Sequence, residues 1–167
     1  KGDVKIILGD IIYRIIEDYE RWLEEENNRL ALKTLGKIKK ICKIRVMSGY
    51  IFRKSNPAVI GVEVLGGELT TNTDLMNDKG VSICTVKSIQ LEGESINKVE
   101  KGKEVAVSLP GVTIGRQVNE EDILYSNINE MDFIELKNKK KYLNKNEIEV
   151  LKEIAEIKRK KEPMWGV

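Results

Sequence analysis

Histidine is absent from this chain of 167 residues. Its absence excludes Ser-His-Asp and Cys-His nucleophile activation and every imidazole-held zinc site, leaving carboxylate or lysine chemistry as the catalytic options. The two cysteines, Cys42 and Cys84, are too few for a disulfide framework or a four-thiolate metal site, and read as small core residues in a reduced compartment. No G-x-x-x-x-G-K-[ST] phosphate loop occurs, so a nucleotide-driven motor would have to lie outside these residues. No signal peptide or apolar run of about 18 residues occurs, which predicts a cytoplasmic chain without a membrane partner. A net charge of +2 gives no global attraction to polyanions, so any nucleic-acid surface must be local. No spacing singles out a carboxylate pair for catalysis, which favours a binding module over an enzyme.

What is present is aliphatic and charged: 41% hydrophobic and 34% charged residues are enough apolar material for a core without staples. Residues 4–8 read as one short strand without a hairpin partner, the remnant of a preceding domain over residues 1–9. Helical spacing then runs from Asp10, the expected N-cap, through Ile12, Ile15, Ile16, Tyr19, Trp22 and Leu23. The following "EEENNR" is polar on every side. A helix over residues 10–35, braced by Glu17–Arg21 and Glu25–Arg29 pairs, is therefore either a solvent-bridging link or a surface helix packed on the next domain. From Ile41 to Tyr125, within a domain expected over 36–127, the period is two, with strands expected at 42–48, 58–65, 82–90, 103–109 and 122–126 and turn signals between them. That pattern predicts a small closed antiparallel β-barrel. Residues 128–167 are helical again: one helix over 130–140, then a second opened by Asn144 and Glu147 as a capping box. The apolar residues Ile148, Val150, Leu151, Ile154, Ala155 and Ile157 cover about half of that second helix. The fold class is thus mainly β, with a long helix before the barrel and two helices after it.

Three segments carry a resemblance: "GYIFRKSNPAVIGVEVLGGEL", "VKSIQLEGESINKVEKGKEVAVSLPGVTIGRQV" and "EIAEIKRKKEPMWGV". In order and spacing they resemble the C-terminal part of archaeal and eukaryotic translation initiation factor 5B, the relative of bacterial initiation factor 2. The resemblance implies a linker helix, a barrel similar to the second domain of elongation factors and a C-terminal helix pair. It also implies a monomeric, non-catalytic piece of a ribosome-dependent GTPase that promotes subunit joining, with GTP and magnesium bound in a domain outside this chain. The implied partners are the methionylated acceptor end of initiator tRNA, large-subunit rRNA and the C-terminal tail of initiation factor 1A. The competing expectation is a module that orients other domains and has no RNA ligand of its own.

By residue type, Tyr50, Phe52, Arg53, Lys54 and Ser55 suit RNA, where an aromatic face stacks on a base and cations meet phosphate. A strand and turn with core aromatics and solvated charges reads equally from the same residues. The resemblance adds Lys87, Ser88, Gln90 and Glu104, which match the part of the bacterial factor lining its formyl-methionine pocket. Val62 and Val105 stand about where the bacterial pattern has cysteines, a departure that fits a factor serving unformylated initiator tRNA. For the factor 1A tail the resemblance points to the C-terminal helices, with Met131, Ile134, Leu151, Ile154, Ile157, Lys158 and Trp165 as candidates. Pro163 forces the end of the chain out of the helix, and the apolar "MWGV" after it predicts that Trp165 docks back on its own domain.

Overall fold

A computed structural model describes residues 4, 6–8 and 12–167, which divide into two units, 1–38 and 39–167. In the first, Val4 and residues 6–8 form no strand, contrary to the expectation, and Asp10 with the expected N-cap lies outside the described residues. Helix α1 (Ile12–Leu35) buries none of its residues, so its apolar stripe is not matched by a core. Its braces are Arg21 with Asp18 and Arg29 with Glu26, at i,i+3 rather than the expected i,i+4, since both spacings bring side chains onto one face.

The second unit holds nine strands among the described residues: β1 (Cys42–Arg53), β2 (Ala58–Thr70), β3 (Asp74–Met76), β4 (Ser82–Thr85), β5 (Ser88–Leu91), β6 (Glu94–Ile96), β7 (Lys98–Glu100), β8 (Glu104–Leu109) and β9 (Ile123–Ser126). Hydrogen-bonded neighbours run β4-β3-β9-β1-β2-β8-β5-β6, with β7 added to the far end of β2, and every ladder is antiparallel. The expected strand 82–90 is split. Its first half pairs with β3 and its second with β8, and the change falls where the Val86 amide donates to Thr73 O (2.9 Å) and the Lys87 amide to Ser108 O (3.0 Å). The run 82–91 thereby closes the barrel. The stretch 92–102, left between the expected strands 82–90 and 103–109, carries β6 and β7, and Glu92 and Gly93 both take positive φ in the tight turn of the β5–β6 hairpin.

Alternation explains the core. Along β2, Ala58, Ile60, Val62 and Val64 point inward, and they meet Ile44 and Val46 of β1, Val105, Val107 and Leu109 of β8 and Leu124 of β9 in one buried cluster. Each such fully buried aliphatic side chain contributes about 1.5–3 kcal/mol. Cys42 belongs to this cluster, and burial pushes its thiol up to about 12. Helix α2 (Glu130–Asn138) is capped by Asn129 and ends two residues earlier than expected, followed by a 3-10 turn, Lys140–Tyr142. Helix α3 (Lys145–Arg159) opens with the expected capping box: the Glu147 amide donates to Asn144 Oδ1 (2.8 Å) and the Asn144 amide to Glu147 Oε2 (2.9 Å). It lies against β1, β2 and β9. Glu153 fixes it there, accepting from Lys43 Nζ (2.8 Å) and Tyr125 Oη (2.7 Å).

Candidate RNA and partner interfaces

A cleft on the barrel wall originates in a mismatch between β1 and β2. Val46 faces Val62 and Ile51 faces Ile60, so residues 47–50 stand opposite the single residue Gly61. The surplus chain must arch away from the ladder. Glu120 and Glu121 hold the arch, accepting from the Gly49 and Ser48 amides at 3.2 Å each. Tyr50 lies directly over Gly61: a Cβ at position 61 would come within 2.7 Å of the Tyr50 Cβ, so only glycine leaves room for the ring's root. The space between the arch and the outer face of β2, β8 and the β5–β6 hairpin is a cleft of about 470 Å³. Its walls are Met47, Tyr50, Phe52, Val59, Gly61, Val105 and Ala106, and its polar groups are Gln90, Glu92 and Glu104.

Tyr50, Gln90 and Glu104, drawn from three separate stretches, are thus brought together. Phe52, noted beside Tyr50 as suited to RNA, and Val105, noted for its departure from the bacterial pattern, join them, with Phe52 66% exposed, too open for a core aromatic. Arg53, Lys54, Ser55 and Lys87 do not line the cleft; Arg53, Lys54 and Lys87 are exposed, and the Lys54 carbonyl accepts from the Ile114 amide (2.9 Å). Sequence reasoning missed Met47 and Glu92. The signal for Glu92 was the dipeptide Glu92-Gly93, a hairpin turn that carries its side chains to the tip of β5–β6.

The second region lies at α2, α3 and the tail. Trp165 is 7% exposed, its ring centroid 4.6 Å from that of Phe133. Arg159 Nε donates to Trp165 O (2.9 Å), Lys137 Nζ and Arg159 donate to Gly166 O, and the Gly166 amide donates to Glu130 Oε1 (2.7 Å). Gly166 has φ +66° and sits so close to Phe133 that a Cβ would approach its ring to 2.4 Å. The tail is therefore clamped on its own chain. Lys158 takes part in this arrangement: its ammonium donates to Asn127 Oδ1 and lies 5.8 Å from the Trp165 ring centre, and burial lowers its pKa. The remaining partner candidates separate into two sets. Met131 and Ile134 are exposed on α2, while Leu151, Ile154 and Ile157 are buried within the domain. A groove of about 190 Å³ runs between α2 and α3, with Phe133, Ile148, Leu151 and Ala155 along it and Lys137, Lys140, Lys152 and Arg159 among its charged residues.

Among the described residues no group of acidic or cysteine side chains could hold a metal ion, and no helix is long and apolar enough to cross a membrane.

Residues 40–125, the barrel itself, match the family described as Elongation factor Tu domain 4. Among curated proteins, the chain is 39% identical over 167 residues to "Probable translation initiation factor IF-2" of Methanosarcina mazei, covering 99% of this chain. It is 41% identical over 169 residues to the protein of the same name from Hyperthermus butylicus, covering 100% of this chain. In both cases the chain spans 28% of the relative's length. Among solved structures, the crystal structure of GDP-bound aIF5B from Aeropyrum pernix superposes with a TM-score of 0.75 at 39% identity, over 90% of this chain and 25% of that one. The chain belongs to the Elongation factor Tu domain 4 family and corresponds to the C-terminal region of an archaeal-type translation initiation factor 5B.

Proposed function

We propose that this chain is a non-catalytic binding module of a translation initiation GTPase. The barrel cleft receives the methionylated acceptor end of initiator tRNA, and the α2–α3 groove receives the C-terminal tail of initiation factor 1A during subunit joining. GTP and magnesium belong to the part of the factor outside this chain, large-subunit rRNA is the surrounding surface, and the module works in the cytoplasm as a monomer, with α1 as its mechanical link. The observation that carries the reading is the meeting of Tyr50, Phe52, Gln90 and Glu104 in one cleft. An exposed aromatic pair suits an unpaired base, and an apolar floor suits a methionine side chain. The exposed Arg53, Lys54 and Lys87 supply the phosphate contacts outside it. For the tail, the apolar groove with basic residues along it matches a segment of acidic and aliphatic residues.

Chemical-shift mapping with initiator methionyl-tRNA and, separately, with a factor 1A tail peptide tests both halves. The tRNA should move residues 47–52, 90–93 and 104–106, with an affinity whose logarithm falls with log salt at a slope of roughly −2 for about three neutralised phosphates. The peptide should move Phe133, Lys140, Ile148 and Lys152. Shifts from neither ligand would leave a module that only orients its neighbours.

A further inference from the structure

A second cavity, of about 540 Å³, lies between the β3–β4 turn and the loop that leads into β9, and it shares no lining residue with the cleft. Both walls are fixed by their own hydrogen bonds. Asn77 Oδ1 accepts from the Lys79 amide (3.0 Å) and the Val81 amide (2.9 Å), and Gln117 Oε1 accepts from the Thr113 amide (2.9 Å). Tyr125 is its buried side. Charges of both signs line the cavity, and they differ in how far the protein has already used them. Asp122 accepts from the Asn119 amide (2.8 Å) and Glu121 from the Ser48 amide (3.2 Å). Lys79, Arg116 and Asp78 are exposed, and among the described residues their side chains make no ion pair or hydrogen bond. Burial first and Glu153 next raise the Tyr125 phenol, and the Asp78 carboxylate raises it further, so Asp78 acts toward the buried side.

A bare anion is repelled by these carboxylates, and a polycation by Lys79 and Arg116. A nucleotide satisfies both signs: its phosphate meets the cations, and an exocyclic base amine donates to a carboxylate. We propose that this cavity binds one unpaired nucleotide of an RNA strand, with Lys79 and Arg116 on its phosphates and Asp78 and Asn119 on a base that carries an exocyclic amine. The site is separate from the cleft, so it stands whether or not the cleft holds an aminoacyl end.

In the test, hexacytidylate, hexauridylate, cytidine monophosphate and hexalysine are titrated into the full chain and followed at the amides of residues 77–79 and 116–119. Cytosine offers an N4 amine where uracil offers an oxygen, so hexacytidylate should bind about five- to tenfold more tightly than hexauridylate. Lys79→Ala combined with Arg116→Ala should weaken both oligonucleotides and flatten the slope of log affinity against log salt by about 1.4, for two single-strand phosphates at roughly 0.7 each. Asp78→Ala should instead remove the preference for cytosine and leave melting unchanged, since the side chain is exposed. Equal affinity for the two oligonucleotides would overturn the assignment of the base. Shifts confined to residues 47–52 and 90–93 would overturn the cavity as a nucleotide site. Cytidine monophosphate binding as tightly as the hexamer would overturn the RNA strand in favour of a free nucleotide. Hexalysine moving the same amides more strongly than either oligonucleotide would overturn the nucleotide in favour of a basic segment of protein.

Discussion

Replacing Trp165 by Ala should be the most damaging single change outside the barrel core. The indole is 7% exposed and its face is covered by Phe133, so roughly 200 Å² of largely apolar surface leaves water when the tail docks. At about 25 cal/mol per Å² that is at most about 5 kcal/mol, from which the ordering of the tail subtracts some 2 kcal/mol. A net loss of about 3 kcal/mol follows, at the lower edge of the usual range for large aromatic truncations. At roughly 3 °C per kcal/mol for a chain of this size, melting should fall by about 9 °C. Trp165→Phe should lose less than half as much, because Phe133 keeps a ring partner. The companion variant Phe133→Ala should lose stability too, and the double variant less than the sum, since each ring is the other's contact. Thermal melts read by circular dichroism decide it. A Trp165→Ala protein melting within a degree of the parent, or strict additivity with Phe133→Ala, would refute the idea that the docked ring holds α2 against α3. The same geometry makes Lys158→Glu destabilising rather than silent, because its ammonium holds Asn127 and lies beside the indole.

Gly61→Ala should push Tyr50 outward and cost about 1–3 kcal/mol, with chemical shifts spreading through residues 47–52; shifts confined to position 61 would show that the arch tolerates a methyl group. Alkali should weaken the fold through Cys42. Its thiol is raised from 9.0 to about 12 by burial, so the contribution is intact below pH 9.0 and is lost as pH climbs from there toward 12, about 1 kcal/mol by pH 10. Urea midpoints of Cys42→Ala should therefore fall less between pH 8 and pH 10 than those of the parent, and equal slopes would contradict this. Glu153→Gln removes the Lys43 ion pair and should cost about 1 kcal/mol. The Tyr125 phenol is raised by burial first and by the Glu153 carboxylate second, so the same variant should bring its titration, followed by ultraviolet absorbance, to lower pH.

The sequence spoke most clearly where structure is local. The capping box at Asn144 and Glu147 and the alternation in β2 and β8 are written in neighbouring residues, and each predicted the observed element. It was silent on β6 and β7, because three residues carry too little alternation to read: β6 is the short return arm of a hairpin with β5, and β7 becomes a strand only by pairing with β2 far back along the chain. The division of 82–91 was equally hidden, since alternation tells which face a residue takes and nothing about which strand it pairs with. The site followed the same division. Aromatic and basic residues at 50–55 announced a surface, but their separation into a cleft wall with Tyr50 and Phe52 and an outer set with Arg53 and Lys54 depends on a four-against-one mismatch with Gly61. The stripe on α3 was legible as apolar, yet periodicity alone could not say that Leu151, Ile154 and Ile157 face inward, leaving α2 to offer Met131 and Ile134.

The handover at Val86 and Lys87 has a mechanical consequence. β3 and β8 share no ladder, so what joins them across the 82–91 run is a single peptide linkage, with Val86 bonded through its amide and its carbonyl to the 72–73 segment on one side and Lys87 bonded through its amide to Ser108 on the other. A nick there would leave each named ladder with its partners and still turn a cylinder into a sheet with two free margins. New chain termini at this point would be tolerated far less well than at the β5–β6 tip, and slow exchange of the Val86 and Lys87 amides would report directly on how often the cylinder opens.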